Sequence, residues 1–135
     1  MSMCNPLYEA TLFHDRFKIP VETGFTAPHA LEQRRSKFCE EAVELDEALD
    51  DAISEYVRNG VISVATAAHV IKEMTDVKNM LASIVAMLGV DLEEAYARTH
   101  MSNMTKTLVA GKITKGSGYE DPYLDDLAKE LRGVA

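Results

Sequence analysis

Glu40-Glu41-Ala42-Val43-Glu44 and, after an interval spanning residues 45–72, Glu73-Met74-Thr75-Asp76 are the stretches on which the fold of this chain turns. Each lies inside a long segment with helical periodicity. At about 100° per residue, Phe38, Ala42, Leu45, Leu49, Ile53 and Tyr56 form one apolar stripe, with Glu41 on its rim and Glu44 a little further round. The pattern returns in the second segment, with Val70, Met74, Val77, Leu81, Val85 and Leu88 as the stripe, Glu73 on the rim and Asp76 beyond it. Packing one stripe on the other brings four carboxylates to one edge of the seam.

Four acids at a partly buried edge repel one another and lose hydration unless a positive group neutralises them. Taken singly, each reads as part of the solvated face of an amphipathic helix. Repeated at the same angular place on two helices, they predict a site for a hard divalent cation. With oxygen ligands only, and no His or Cys in either cluster, Mg2+ is the expected ion and Mn2+ the substitute, rather than zinc or copper.

Outward from these clusters the chain reads as all-α. Leu7, Ala10, Phe13 and Phe17 predict a first helix from about Asn5, ended by Ile19-Pro20. A long helix is expected from about His29 to Asn59-Gly60, and a third from Ser63 or Thr66 to Leu88-Gly89. The run from Met80 to Leu88 is apolar nearly all round, which predicts burial on more than one side and a partner subunit. Asp91 and Glu94 suit the start of a fourth helix reaching about His100, and a last one is expected from Pro122 to Leu131. No segment alternates as a strand should. The prediction is a bundle of four to five helices, with the second and third paired antiparallel and a basic, loop-rich segment at about 103–122.

At 135 residues, 47% of them hydrophobic, with only seven Gly and four Pro, residues 1–135 are expected to form a single ordered domain. The net charge of −8 argues against a protein that holds nucleic acid through its phosphates. Cys4 and Cys39 lack metal-binding spacing, and Cys39, beside Phe38 in a helical stretch, is expected to be a buried or half-buried free thiol. No basic segment leads into an apolar run at the N-terminus, and no stretch approaches the length of a bilayer span. A cytoplasmic protein without a membrane partner is therefore expected.

Gly111-Lys112-Ile113-Thr114-Lys115-Gly116-Ser117 looks superficially like a phosphate loop, but Ser117 stands where the lysine is required and no apolar strand precedes it. What remains is a basic segment whose Lys106, Lys112 and Lys115 could meet a phosphorylated ligand. None of His14, His29, His69 and His100 stands three residues after a Glu, which argues against a carboxylate-bridged di-iron bundle.

The two acid clusters, in that order, resemble the metal motif of the all-α nucleoside triphosphate pyrophosphohydrolases. That superfamily includes MazG, the dimeric dUTPases and phosphoribosyl-ATP pyrophosphatase. His100-Met101-Ser102-Asn103-Met104-Thr105-Lys106, followed by Gly111-Lys112, Lys115-Gly116, Tyr119 and Pro122, is similar to the tail of MazG-like and phosphoribosyl-ATP-pyrophosphatase-like proteins. The resemblance implies a homodimer or a dimer of dimers, with the active site near the subunit interface. It implies magnesium-dependent cleavage of a nucleotide between its α- and β-phosphates. Glu41, Glu44, Glu73 and Asp76 are then the metal ligands, with Glu40 or Glu41 activating water, and Asn103, Lys106, Lys112, Lys115 and Tyr119 contact the nucleotide. Asn79 departs from the aromatic or aliphatic residue that many relatives carry three positions after the Asp, and bears on the base pocket. Two alternatives accompany the leading reading: the phosphoribosyl-ATP pyrophosphatase of histidine biosynthesis, and a non-catalytic helical dimer that binds metal.

Overall fold

A computed structural model describes residues 5–135, so Cys4 lies outside the described residues. The chain is all-α apart from one small hairpin. Helix α1 is Pro6–Phe17, α2 Pro28–Asn59, α3 Val64–Leu88, α4 Leu92–Asn103 and α5 Asp125–Lys129; strands β1, Thr107–Val109, and β2, Lys112–Thr114, lie between α4 and α5.

The helix ends follow local chemistry. Asn5 Oδ1 accepts from the amides of Leu7 (3.0 Å) and Tyr8 (3.4 Å), and Pro6 starts α1 where its missing amide hydrogen costs nothing. Gly60 and Gly89 close α2 and α3 in the left-handed conformation, and Ser63 Oγ accepts from Thr66 N at 3.1 Å to open α3. Asp91 caps α4 through Glu94 N at 3.0 Å.

The short connection at 60–63 turns α3 back antiparallel to α2, and this pair forms the principal interface, with α1 laid against α3. The covered positions include Phe38, Glu41, Leu45, Ala48, Ala52 and Glu55 on α2 and Thr66, Val70, Glu73, Val77, Met80, Ile84 and Met87 on α3. Both sets advance by alternating steps of three and four, the period of coiled-coil packing. This seam lies to one side of the apolar stripe expected on α2. Leu49, Ile53 and Tyr56 stay 41%, 62% and 60% exposed, while Ala48 is 1% exposed. The small Ala48 and Ala52 let the helices approach between the acid cluster and the connecting loop, and the larger Met80, Ile84 and Met87 are covered further along α3.

The apolar run Met80 to Leu88 is covered on more than one side, as expected, and within the protomer; only Leu81 in it is an exposed large apolar residue. Exposed apolar side chains lie instead on α1 (Leu7, Leu12, Phe13), on the flank of α2 and on the hairpin (Leu108, Val109, Ile113). The accessible surface is 10030 Å2, against about 7,000 Å2 expected of a compact monomer of this mass. Cys39 is exposed rather than buried, because it points away from the seam that its neighbour Phe38 enters. The basic segment holds a strand pair with Thr107 opposite Thr114 and Val109 opposite Lys112. The linking Ala110 and Gly111 both have positive φ, 49° and 76°, as a tight two-residue hairpin turn requires. The last helix is shorter than expected, confined to Asp125–Lys129.

The region after α3 is built from polar clasps. Arg98 donates to both carboxylate oxygens of Asp126 (2.6 and 3.0 Å), to the Tyr123 carbonyl (3.0 Å) and to Glu94 (2.8 Å), tying α4 to α5. Ser102 Oγ donates to the Glu120 carbonyl at 2.6 Å and lies 3.2 Å from the Tyr119 hydroxyl. The chain end returns to the loop before α2, where Phe25 N donates to Arg132 O at 2.8 Å. Gly24 permits that crossing, since a Cβ there would stand 2.4 Å from the same oxygen. Among the described residues no helix is long and apolar enough to cross a membrane.

Candidate metal centre

The α2–α3 seam carries acids at positions that coiled-coil packing reserves for apolar residues. Glu73 is 3% exposed, and Glu41 and Asp76 are half-buried beside it. One carboxylate oxygen from each of the three lies within 4.8 Å of the others. Glu44, one turn after Glu41, is within hydrogen-bonding reach of it. Burial, then the charges of Glu44 and Asp76, push the Glu41 carboxyl above its ordinary pKa. Glu41 Oε2 and Glu73 Oε2 are buried without a hydrogen-bond partner.

Positive groups border the cluster without entering it. Lys72 Nζ sits 3.0 Å from Glu73 Oε1 and 2.9 Å from Asp76 Oδ2, and His69 Nδ1 is 3.4 Å from Glu73 Oε1. On the α2 side Lys37 donates to Glu40 Oε2 at 2.7 Å and reaches only to 3.9 Å from Glu41 Oε1. Glu40 is thereby turned to solvent, away from the other acids. The donor set suits a hard cation: oxygen atoms only, close enough to share one ion, with two buried lone-pair sites left open. Glu41, Glu73 and Asp76 would hold such an ion directly, with Glu44 next to them.

A cavity of about 700 Å3 opens between α1 and α3 and reaches the cluster at Glu41 and Asp76. Phe13, Met80 and Ala82 give it apolar walls, and Asn79 contributes an amide. At its floor the fully buried His14 bridges the two helices. Its Nδ1–H donates to the Pro20 carbonyl (3.1 Å), which leaves Nε2 to accept from Ser83 Oγ (2.5 Å). Burial pushes its pKa below the ordinary value.

The candidate nucleotide contacts lie elsewhere in the protomer. Tyr119 and Asn103 sit at the α4 end of the clasps, Lys112 and Lys106 on and beside the hairpin, and Lys115 4.7 Å over the Tyr119 ring. Among the described residues, no hydrogen bond or ion pair joins Lys106, Lys112 or Lys115 to the acids of the cluster. Sequence reasoning passed over Lys72 and the His14–Ser83 pair. The four-residue spacing from Lys72 to Asp76 was a visible signal, but it is the same spacing that ordinary surface ion pairs use.

An antiparallel helical bundle with acids sunk in its seam beside a ligand-sized cavity is the architecture of the MazG-like, all-α pyrophosphohydrolase class. A family model for phosphoribosyl-ATP pyrophosphohydrolase matches residues 7–103, and the chain belongs to that family. The match takes in α1 to α4, both acid clusters and the cavity, and stops before the hairpin. No curated protein matches the chain significantly. The protein is accordingly a nucleotide pyrophosphohydrolase, a hydrolase of phosphoanhydrides.

Proposed function

We propose that this protein is a Mg2+-dependent nucleoside triphosphate diphosphatase, with Mn2+ as a substitute ion, releasing the monophosphate and pyrophosphate by cleavage between the α- and β-phosphates. The observation that carries the reading is the pair of buried, unpartnered oxygens on Glu41 and Glu73, beside Asp76 at the mouth of the cavity. Bound among those residues, the ion supplies positive charge against the phosphoryl oxygens and lowers the pKa of water. Glu41, Glu44, Glu73 and Asp76 fix its place, and the apolar walls of the cavity receive the nucleoside, with the Asn79 amide available to the base edge. Glu41, at the edge where the cavity meets the cluster, is placed to take the proton of the attacking water. Glu40 can do so only by leaving Lys37.

The hairpin lysines and the exposed apolar flanks fit a dimeric enzyme in the cytoplasm. A second copy covers Leu49, Ile53 and Tyr56, and brings Asn103, Lys106, Lys112, Lys115 and Tyr119 towards a neighbouring nucleotide. The excess of accessible surface over that of a compact monomer supports this arrangement. Phosphoribosyl-ATP is the second reading of the substrate, favoured by the particular family model that matches. Pyrophosphate release from a panel of nucleoside triphosphates and phosphoribosyl-ATP, with and without Mg2+, tests both. Release from one or more triphosphates only when Mg2+ is present is expected. Release from phosphoribosyl-ATP alone would transfer the assignment to that substrate, and metal binding without release from any would leave only a metal-binding dimer.

A further inference from the structure

Lys72 is the one lysine whose ammonium touches two members of the acid cluster. It precedes Glu73 by one residue and Asp76 by four, so the helix carries its stem past both carboxylates. Its contacts, 3.0 Å to Glu73 Oε1 and 2.9 Å to Asp76 Oδ2, fall on one side of the cluster. Glu41 Oε2 and Glu73 Oε2 remain buried and unpartnered. A single ammonium therefore serves two of three crowded acids and leaves the buried oxygens unserved. Its side chain is 61% exposed, fixed at the backbone and free to swing at the tip.

We propose that Lys72 is the resident counter-ion of the site. It holds Glu73 and Asp76 in their ligand positions while the site lacks a metal, and it gives up both contacts when a divalent cation takes those carboxylates. Its charge thus sets the metal concentration at which the site fills. This rests on the reading of the cluster as a metal centre. The physical ground is competition. A divalent ion draws on the same two carboxylates, Glu73 and Asp76, that the ammonium already contacts, and two cations on one pair of acids repel strongly. The lysine leaves cheaply because its head regains water at once, whereas Glu73 has no such recourse in the seam. Lys72 is in this sense a positioning residue, acting on the nucleotide only through the metal.

The test is a calorimetric titration with Mn2+ alone, without nucleotide, on the full chain, its Lys72→Met variant and its Lys72→Arg variant. Methionine keeps the apolar stem and removes the charge, whereas arginine keeps the charge. Lys72→Met is expected to bind Mn2+ on the order of tenfold more tightly than the parent, and Lys72→Arg to stay close to it. The gap in melting temperature between the metal-free and Mn2+-saturated forms should widen in Lys72→Met, because the metal-free acids have lost their counter-ion. Equal or weaker Mn2+ affinity in Lys72→Met would overturn the inference and return Lys72 to an ordinary surface ion pair. If the parent itself takes up no Mn2+, the metal-centre reading has failed and this inference falls with it, an outcome distinct from equal binding by all three proteins.

Discussion

Two places in the same helical seam hold glutamates, and they treat them in opposite ways. At the loop end Glu55 is fully engaged. Its Oε1 accepts from Ser63 N at 2.7 Å and its Oε2 from the Thr66 hydroxyl, and these bonds hold its pKa below the ordinary carboxylate value. At the centre, Glu41 and Glu73 each keep a buried oxygen with no partner, and Glu41 is shifted the other way, by burial and by Glu44 and Asp76. The same residue type is a finished structural joint in one place and keeps unpartnered buried oxygens in the other. An acid whose oxygens the fold satisfies is explained by the fold; buried oxygens that it leaves unsatisfied are what the proposed metal site would use.

The sharpest way to break this contrast is to neutralise the centre. Glu73→Gln and Asp76→Asn are each expected to lower turnover by more than about a hundredfold, since even groups that merely orient metal ligands cost up to that much. Calorimetry should show weakened metal uptake, while the metal-free melting temperature holds or rises because mutual repulsion is relieved. Near-normal turnover of either variant at saturating Mg2+ would erase the distinction between the two places.

A smaller effect is expected at His14, a buried ionisable group that the fold satisfies. Its pKa is pushed below the ordinary 6.5 of an unfolded His. The unfolded chain therefore binds more protons there below that pH, and stability falls as pH drops from above 6.5 towards the lowered value. Ser83→Ala removes the donor to Nε2 and should cost about 1–3 kcal/mol at neutral pH in a denaturant melt. A variant as stable as the parent would show that the His14–Ser83 contact contributes nothing to holding α1 on α3.

Glu55→Gln sharpens the comparison from the other end. It should lower the melting temperature modestly by weakening the bonds that fasten the loop, yet leave the turnover number within about twofold and metal affinity unchanged. A loss of metal binding in this variant would mean that the two places are coupled after all. The smallest effect is expected at Lys106, where Lys106→Ala should raise the KM for nucleotide by about threefold to tenfold without altering metal affinity. An unchanged KM would mean that this lysine is solvated in the working enzyme.

The helices were legible in the sequence because their ends carry explicit chemistry: Asn5, Asn59-Gly60, Ser63, Leu88-Gly89 and Asp91 each satisfy or terminate a backbone. The meeting of Glu41, Glu73 and Asp76 was legible because helical spacing fixes angular position. What apolarity could not reveal is which flank of α2 would be covered, for Ala48 and Ala52 are chosen by closeness of approach, and the bulkier Leu49 and Ile53 remain outside. The hairpin was missed because strands of three residues are too short to show alternation, and its turn uses Ala110 where Asn or Asp would have announced a positive φ. Glu55 was invisible as a joint because its partners lie across the loop, at Ser63 and Thr66.

The three-and-four spacing of the seam has a further consequence, for alignment. In helices paired by such a repeat, apolar layers are nearly interchangeable, and packing alone would let α3 slide along α2 by a turn, about 5.4 Å, were it not tethered at 60–63. Acids set into those layers also forbid it. A shift would strand Glu41 and Glu73 among valines and leucines with no common cation, so only one pairing lets them share the same charge. The residues proposed to hold a metal also serve as the key of the fold, the notch that tells two long helices where to stop.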